Sequence, residues 1–598
     1  MWNPLLSVAL ASSFAGAAGP IPQSAPLELL TPEQLDQKLR DVAAAAPDVA
    51  SYIEFGRSLA GAPVAGISIG GPELPELAPT ILVVGGLEGP RAFEGSVVLD
   101  HARRLSEERP ELIQTTRVIC VPRVAMDAST SRFADPQAET FASFHDADTD
   151  RDGLFGEDPA ADVDGDGRIA WMRVPDVKGK YIADPHDERA NTEADPKVGQ
   201  RGAFRVVREG FDADSDGEAS EDGPFDGRVD RGFSAGWEEH EAHAARFPLE
   251  EPGARALADY VIEHPEIALV LLYDSTDNLG AAPKGVGNSG GRVPKQGWMD
   301  GDAKWLGALG KVWRDGLEKG ALPKPAAHAP EPGSFASWAY EHRGLWVVAG
   351  RLWDLPMKAP KAPKSEEGEE AEPSEDGEAA MEDSAEKPAM DDKPEESADE
   401  EMESKEEMES KEDEGPPGDP SDQAKELEWI DATEESWRFI PWQPFDHPQL
   451  GPVEIGGFAP FARFDPPAAE HESIAAARYD FLLGLESWLP RLSLDPLQVE
   501  AKGAGLFEVR ASVVNGGRLP LLPDAGGRAD HRPRVIVELQ LPDGATRVAG
   551  DSRPFFENLS GEGGRREYVW LIAADSVTGL SVRASAPHLG SVTQEVAQ

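Results

Sequence analysis

The chain has 598 residues, 40% of them hydrophobic, and a formal net charge of −53 at pH 7. Its length exceeds what one compact core accommodates, so we expect two or three domains. The strong negative charge argues against nucleic acid or an anionic membrane as a partner. The single cysteine, Cys120, excludes an intrachain disulfide framework.

The first residues form an apolar segment, Leu5 to Ala15, which is followed by small residues up to Ala18. This pattern is typical of a secretory signal, although the usual basic residues are missing from its start. We therefore predict a signal peptide at residues 1–20 and a secreted or periplasmic protein, with a plain apolar tail as the alternative. Beyond it, no segment is apolar over the roughly 18 residues that would indicate a membrane span.

Buried strands alternate with helices over the first half of the chain. Strands are predicted at residues 64–69, 80–85, 116–122 and 267–273, and helices at 31–45, 93–106 and 254–263. The strands at 80–85 and 267–273 are apolar at successive positions, which is typical of strands covered on both faces. The alternation predicts an α/β fold with a mostly parallel mixed sheet flanked by helices.

An Asp- and Gly-rich segment at residues 144–237 reads as a loop insertion. Three of its loops have the form D-x-D-x-D-G, with carboxylates at Asp148, Asp150 and Asp152, at Asp162, Asp164 and Asp166, and at Asp212, Asp214 and Asp216. Alternate carboxylates followed by glycine are how a short loop wraps oxygen ligands around calcium. We predict calcium binding here, although no loop has the distal glutamate of an EF-hand and a solvated acidic loop is the alternative.

Two compositional changes mark the second half of the chain. Residues 358–426 are of low complexity, with 25 acidic residues against 4 lysines between Ser365 and Gly415. Such a segment cannot bury a core, and we expect it to be disordered. Residues 496–598 carry short alternating strands between Gly- and Pro-rich turns, which predicts an antiparallel β-sandwich domain.

Six segments of the chain occur in the order of a known family. They are EFGRSLAG (54–61), PTILVVGG (79–86), the strand end at 121–127, DGRVDRGFSAGW (226–237), EPGARALADYV (251–261) and GSFASWAYEHRG (333–344). Together they resemble the carboxypeptidase A-like zinc carboxypeptidases. The Asp-rich insertion and HPQLGPVEIGGF (447–458) are similar to a bacterial branch with long loops and a C-terminal β-sandwich. The resemblance implies that residues 28–357 and 427–492 form one carboxypeptidase-like domain.

The resemblance also implies that the metal-binding and catalytic positions are replaced. Leu87 and Pro90 stand where the family has its first histidine and glutamate ligands, and Asp274 stands at the last histidine. Arg351 takes the place of the glutamate base. Because leucine and proline cannot bind zinc and an arginine repels a metal ion, we expect the zinc of the family to be absent here.

The positions that bind substrate in the family are partly kept. By resemblance, Arg231 is the arginine that receives a terminal carboxylate, and Arg173 falls at an arginine that stabilises the oxyanion. We therefore predict a non-catalytic pseudopeptidase that binds the C-termini of peptides or proteins in the retained cleft. For Arg231, a salt bridge to nearby aspartates is the structural alternative.

Two further hypotheses stay open. Glu88, Glu94 and Asp274 could hold a harder metal than zinc, which would give an active metallopeptidase or amidase with a relocated metal site. Alternatively, the Asp-rich loops could make this a calcium-dependent structural protein in which the cleft has no role.

Overall fold

The computed structural model describes residues 27–75, 78–145, 156, 158–213, 219–220, 226–239, 245–287, 296–319, 331–358, 419–527 and 533–596. The predicted signal peptide, the loop that begins at Asp148 and most of the acidic segment lie outside the described residues. Within them, no helix combines the length and the apolar composition that a membrane crossing requires.

The helices and strands of the described residues are numbered in chain order. The helices are α1 (Pro32–Ala45), α2 (Ala92–Glu108), α3 (Leu112–Thr115), α4 (Pro252–Glu263), α5 (Asp300–Lys319), α6 (Phe335–Ser337), α7 (Asp422–Asp431) and α8 (His471–Gly484). The strands up to residue 350 are β1 (Ala50–Arg57), β2 (Pro63–Ile69), β3 (Thr80–Val84), β4 (Arg117–Val121), β5 (Ala142–His145), β6 (Trp171–Pro175), β7 (Tyr181–Ala183), β8 (Asn191–Glu193), β9 (Phe204–Arg208), β10 (Asp226–Arg228), β11 (Ile267–Leu272) and β12 (Trp346–Ala349). The later strands are β13 (Phe439–His447), β14 (Gly451–Phe458), β15 (Leu492–Leu494), β16 (Gln498–Gly503), β17 (Leu506–Asn515), β18 (Val535–Gln540), β19 (Thr546–Ala549), β20 (Phe555–Phe556), β21 (Arg565–Ala573), β22 (Ser581–Ala586) and β23 (Gly590–Glu595).

A central mixed sheet has the strand order β1-β2-β4-β3-β11-β12. Strands β4, β3, β11 and β12 are parallel to one another, whereas β2 pairs antiparallel with both β1 and β4. Every residue of β3 and β11 is buried, as the continuous apolar runs predict. Because parallel strands end at the same edge of a sheet, the segments that follow β3, β11 and β12 lie side by side.

A second six-stranded sheet is a feature that the sequence did not reveal. Its order is β13-β14-β6-β9-β7-β8, and its neighbouring strands are antiparallel. Strands β6 to β9 come from residues 144–237, which we had predicted as a loop insertion. The prediction was wrong for residues 171–208 because these strands are short and lie between Asp-rich loops that dominate the local composition.

The ordered chain resumes earlier after the acidic segment than the sequence indicated. Helix α7 begins at Asp422, and the hydroxyl of Ser421 caps it by accepting a hydrogen bond from the backbone N–H of Ala424. The predicted disordered insertion extends to residue 426, so its last five residues, 422–426, lie in this helix. Leu427 and Ile430 of this helix are buried in the main core.

The C-terminal region forms two antiparallel sheets around a separate core. One sheet has the order β15-β17-β21-β19 with β16 added to β17, and the other has the order β20-β18-β22-β23. Val513, Trp570 and Val582 are among the residues enclosed between them. The first strand, β15, begins at Leu492, so the predicted domain boundary at 496 was four residues late.

Candidate functional site

The carboxyl edge of the central sheet brings together the positions that the resemblance singled out. Leu87 follows β3, Asp274 follows β11 and Arg351 follows β12. Leu87 is fully buried in the hydrophobic core. Pro90 is also buried, and its carbonyl oxygen accepts a hydrogen bond from Arg132 Nη1 at 3.3 Å. Neither residue offers a side-chain metal ligand.

Arg91 is the centre of a buried charge cluster at this edge. Its Nε lies 2.9 Å from Glu88 Oε2, its Nη1 3.5 Å from Glu94 Oε1 and its Nη2 3.2 Å from Asp354 Oδ1. Arg351, in the position of the family's base, donates to the other oxygen of Asp354 at 2.7 Å. Asp354 therefore bridges the arginine before α2 and the arginine after β12.

A second group of charges continues the cluster towards the surface. Arg228 Nε donates to Asp230 Oδ1 at 3.0 Å, and Arg231 Nε lies 3.4 Å from Asp230 Oδ2. The guanidinium of Arg231 also pairs with Glu331. The side chain of Arg231 is 24% exposed and that of Glu331 45% exposed, so this pair is reached by solvent.

The carboxyl groups of the cluster differ in protonation. Burial alone would raise the pKa of Glu88, but the charges of Arg91 and Arg228 outweigh it and hold the pKa at about 2. Burial raises the pKa of Glu94 well above its usual value, and the neighbouring charge of Glu88 adds to this effect. Burial likewise raises the pKa of Asp274 well above its usual range, and the charges of Glu88 and Asp230 add to this effect.

These residues do not fit a zinc ion. Among the described residues, only Asp162, Asp164 and Asp166 form a set of three or more acidic, histidine or cysteine side chains with ligand atoms all within 4.8 Å of one another. Glu88, Glu94 and Asp274 thus form no such set, and the arginines between them would repel a cation. The geometry therefore gives no support to the relocated metal site.

Arg173 lies apart from this cluster, in the second sheet. Its Nε donates to Asn191 Oδ1 at 2.7 Å, and its Nη2 donates to the carbonyl oxygens of Glu188, Arg189 and Ala190 at 3.0 to 3.2 Å. Its guanidinium stacks on the Trp442 ring at 4.2 Å. These contacts tie β6 to neighbouring parts of the sheet, and they give no support to a role in oxyanion stabilisation.

The predicted calcium ligands are only partly described. Asp162 Oδ1 accepts hydrogen bonds from the backbone N–H groups of Gly165 and Asp166 at 2.7 and 3.1 Å, and Oδ2 accepts from Gly167 at 2.8 Å. These bonds fold the second D-x-D-x-D-G loop so that its three carboxylates converge. Asp212 of the third loop is buried and bonded through its backbone to Gln449. The remaining predicted ligands lie outside the described residues: Asp148, Asp150, Asp152, Asp214 and Asp216.

A cavity of about 450 Å³ opens beside the Arg231 pair. Glu331, the partner of Arg231, lies in its wall together with Asp277, which follows Asp274 by three residues. Much of the remaining wall is apolar and includes Ala282, Trp298 and Pro332. An exposed ion pair and an apolar cavity are therefore neighbours at this end of the sheet.

Sequence reasoning missed four members of the cluster, namely Arg91, Arg228, Glu331 and Asp354. One signal was present, because Glu88, Arg91 and Glu94 follow each other at intervals of three residues. That spacing is the one that places side chains on a single helix face, although only Glu94 lies within α2, which begins at Ala92. The link from Arg91 to Asp354 spans 263 residues and had no local signal.

Residues 491–597 match a family model described as a domain of unknown function, DUF8731. A search of the curated proteins found no match.

The solved structures that are similar include several carboxypeptidases. The carboxypeptidase A of Helicoverpa armigera is 13% identical with a TM-score of 0.33, and the alignment covers 54% of this chain and 64% of that chain. Thrombin activatable fibrinolysis inhibitor is 11% identical with a TM-score of 0.34, covering 54% and 65%. A metallo-carboxypeptidase of Burkholderia cenocepacia is 11% identical with a TM-score of 0.27, covering 53% and 60%. The chain thus spans less than two thirds of the length of each of these three proteins.

Proposed function

We propose that this protein is an exported, non-catalytic binding protein that holds the C-termini of peptides or proteins at Arg231. The observation that carries the proposal is the composition of the carboxyl edge of the central sheet. Buried ion pairs centred on Arg91 and Arg351 fill the place that the resemblance assigns to a metal and its base.

The absence of catalysis follows from the groups at this edge. In the mechanism that the resemblance implies, hydrolysis needs a water activated by a metal ion or by a carboxylate base with an accessible lone pair. Arg351 is a cation, and burial raises the pKa of both Glu94 and Asp274 well above the usual range, which disfavours the ionised form that a base requires. Glu88 is ionised but 97% buried and paired with Arg91.

We place the ligand-binding site at Arg231, where the charge cluster is exposed to solvent. Arg231 combines a partly exposed guanidinium with the neighbouring cavity of about 450 Å³. A terminal carboxylate would replace the exposed Glu331 as the partner of Arg231 through charge-assisted hydrogen bonds. The apolar part of the cavity would then receive the terminal side chain of the ligand.

The test compares peptides with a free and an amidated C-terminus. Arg231→Ala should weaken the binding of free-carboxylate peptides by about 1.5–3 kcal/mol, the usual value of a hydrogen bond to a charged group. Amidated peptides should bind weakly to both forms. Arg343→Ala, which removes a half-buried arginine elsewhere on the same domain, is the matched control and should bind like the unaltered protein.

Isothermal titration with both peptide forms makes this comparison. Equal affinity of the unaltered protein for free and amidated peptides would contradict the proposal. It would mean that the ion pairs of Arg231 with Asp230 and Glu331 have a structural role only, as the alternative interpretation holds.

A second candidate function is a calcium-dependent structural protein. The observation that favours it is the convergence of the Asp162, Asp164 and Asp166 carboxylates. The two functions are compatible, since the calcium loop and Arg231 lie on different elements. Loss of structure on calcium removal would support this role without bearing on the cleft.

A further inference from the structure

Two neighbouring turns at one edge of the second sheet carry exposed cations. Residues 176–180 join β6 to β7, and residues 194–203 join β8 to β9. The two turns touch, since Asp176 N donates to the carbonyl oxygen of Ala203 at 3.0 Å and Ala194 N to that of Lys180 at 2.9 Å. We call them the basic turns, after their four exposed cations Lys178, Lys180, Lys197 and Arg201.

These cations have no acidic partner among the described residues. The acidic side chains within the turns have partners other than these four cations. Asp176 lies 3.6 Å from Arg205 and accepts a hydrogen bond from the backbone N–H of Lys178. Asp195 accepts a hydrogen bond from the backbone N–H of Lys197 at 2.8 Å. Unpaired cations on adjacent turns are unexpected in a chain with a net charge of −53, where acidic partners abound.

Exposed apolar side chains accompany the cations. Val177 is 99% exposed and Val198 is 71% exposed, the highest values among the exposed large hydrophobic residues of the described chain. A patch that combines bare valines with unpaired cations is typical of a surface that contacts another group. The charge of that group must be negative.

The residues that directly follow the acidic segment (359–418) contact the ends of β7 and β8 that lie opposite the basic turns. Ser421 N donates to Asp184 Oδ2 at 3.0 Å, and Asn191 N donates to Gln423 Oε1 at 2.9 Å. The end of the segment is therefore fastened next to β7 and β8, whose other ends continue into the basic turns. At about 3.3 Å per residue, Lys178 lies roughly 20 Å along the chain from Asp184.

The sequence that precedes this anchor has the complementary charge. Residues 401–414 (EMESKEEMESKEDE) hold eight acidic residues and two lysines. They end seven residues before Ser421, a distance that an extended chain covers within about 25 Å. Their two methionines, Met402 and Met408, supply apolar groups of the kind that pack on exposed valines.

We propose that residues 401–414 of the acidic segment dock on the basic turns of the same molecule. Glutamates pair with Lys178, Lys180, Lys197 and Arg201, and the methionines cover Val177 and Val198. The contact is electrostatic and exposed, so it is weak and is screened by salt. It does not depend on the function proposed for Arg231.

Cross-linking of the full-length protein tests the contact directly. A carbodiimide joins carboxylates to lysines that they touch, and we expect links from residues 401–414 to Lys178, Lys180 or Lys197 within one molecule. The links should form at about 0.01 M salt and disappear at about 1 M salt, where the screening length falls to roughly 3 Å. Links to other lysines, or links only between two molecules, would overturn the proposal.

Limited proteolysis gives a second readout that does not depend on cross-linking chemistry. The variant Lys178→Ser/Lys197→Ser should raise the rate of cleavage after the glutamates of 401–414 about three- to fivefold at low salt, since two exposed charge pairs are lost. The control Lys311→Ser/Lys319→Ser removes two exposed lysines of α5 and should leave the rate unchanged. Equal rates in both variants would overturn the proposal. Binding to anionic vesicles that requires Lys178 and Lys197, with cleavage unaltered, would assign the turns to a lipid surface instead.

Discussion

Arg351 and Arg91 share one carboxylate, Asp354, in a part of the protein that excludes most water. A buried ion pair is not by itself a strong stabilising interaction, but removing one partner leaves an uncompensated charge that costs about 3–5 kcal/mol. Replacing any one of Arg91, Arg351 and Asp354 therefore destabilises the protein unless its partner is replaced as well. Replacing Arg351 alone by the glutamate of the family would place a second carboxylate beside Asp354 and would not restore a metal site.

Glu94 offers the clearest prediction for a single residue. The unfolded chain ionises this group near pH 4.3, whereas burial raises the pKa in the folded protein. Above that pH the folded state binds more protons than the unfolded state, so the free energy of unfolding falls as the pH rises. Glu94→Gln removes the titrating group. The variant should gain stability relative to the unaltered protein between about pH 5 and 7, by up to about 1.4 kcal/mol per pH unit.

Urea unfolding at several pH values within this range measures the effect. Glu107→Gln, on the exposed side of the same helix, is the control and should show no such gain with pH. A stability difference between Glu94→Gln and the unaltered protein that stays constant with pH would show that Glu94 is ionised in the folded state.

At the scale of single elements, the loop at residues 162–167 is the one of the three Asp-rich loops that lies wholly within the described residues. Burial raises the pKa of Asp164, and the charges of Asp166 and Asp162 add to the shift. A divalent cation bound between the three carboxylates would relieve this repulsion. The loop lies between β5 and β6, so the ion would stabilise the entry into the second sheet.

We expect calcium to stabilise the protein through this loop. A ligand that binds only the folded state raises stability by mass action, by about 2.7 kcal/mol at a hundredfold excess over its dissociation constant. Chelation should therefore lower the melting temperature, and Asp164→Asn/Asp166→Asn should abolish the response. Asp543→Asn, in an exposed turn of the C-terminal domain, should leave the response intact. An unchanged melting temperature in excess chelator would mean that the loop is merely solvated.

At the scale of the whole molecule, the proposal predicts a protein without stoichiometric zinc and without peptidase activity. The reason is that Leu87 and Pro90 lack ligand atoms and that Arg351 is a cation. Two measurements check this prediction. The first is metal analysis of the dialysed protein, and the second is an assay for the release of C-terminal residues from unstructured peptides. One equivalent of retained zinc together with chelator-sensitive release of C-terminal residues would show that the protein is a working enzyme.

Much of the architecture was predictable because it is encoded locally. The apolar runs at 80–85 and 267–273 are confirmed as β3 and β11, and the alternating segments after residue 500 are confirmed as β17, β18, β21 and β22. The second sheet was not predictable from such patterns. Its strands β7 and β8 have three residues each, which is too short for an alternating pattern to emerge.

The sequence by itself determined that Leu87, Pro90 and Arg351 supply neither a zinc ligand nor a base, because leucine, proline and arginine lack that chemistry wherever they are placed. Only the tertiary structure decided what the edge of the central sheet contains instead. Arg91 and Asp354 are 263 residues apart, and Arg231 and Glu331 are a hundred apart, so no local pattern links them. Folding brings Arg91 and Asp354 into a space with little water, where each charge must find a partner. The same holds for the basic turns, because only the contacts of Ser421 with Asp184 and of Gln423 with Asn191 bring the start of α7 to the other ends of β7 and β8.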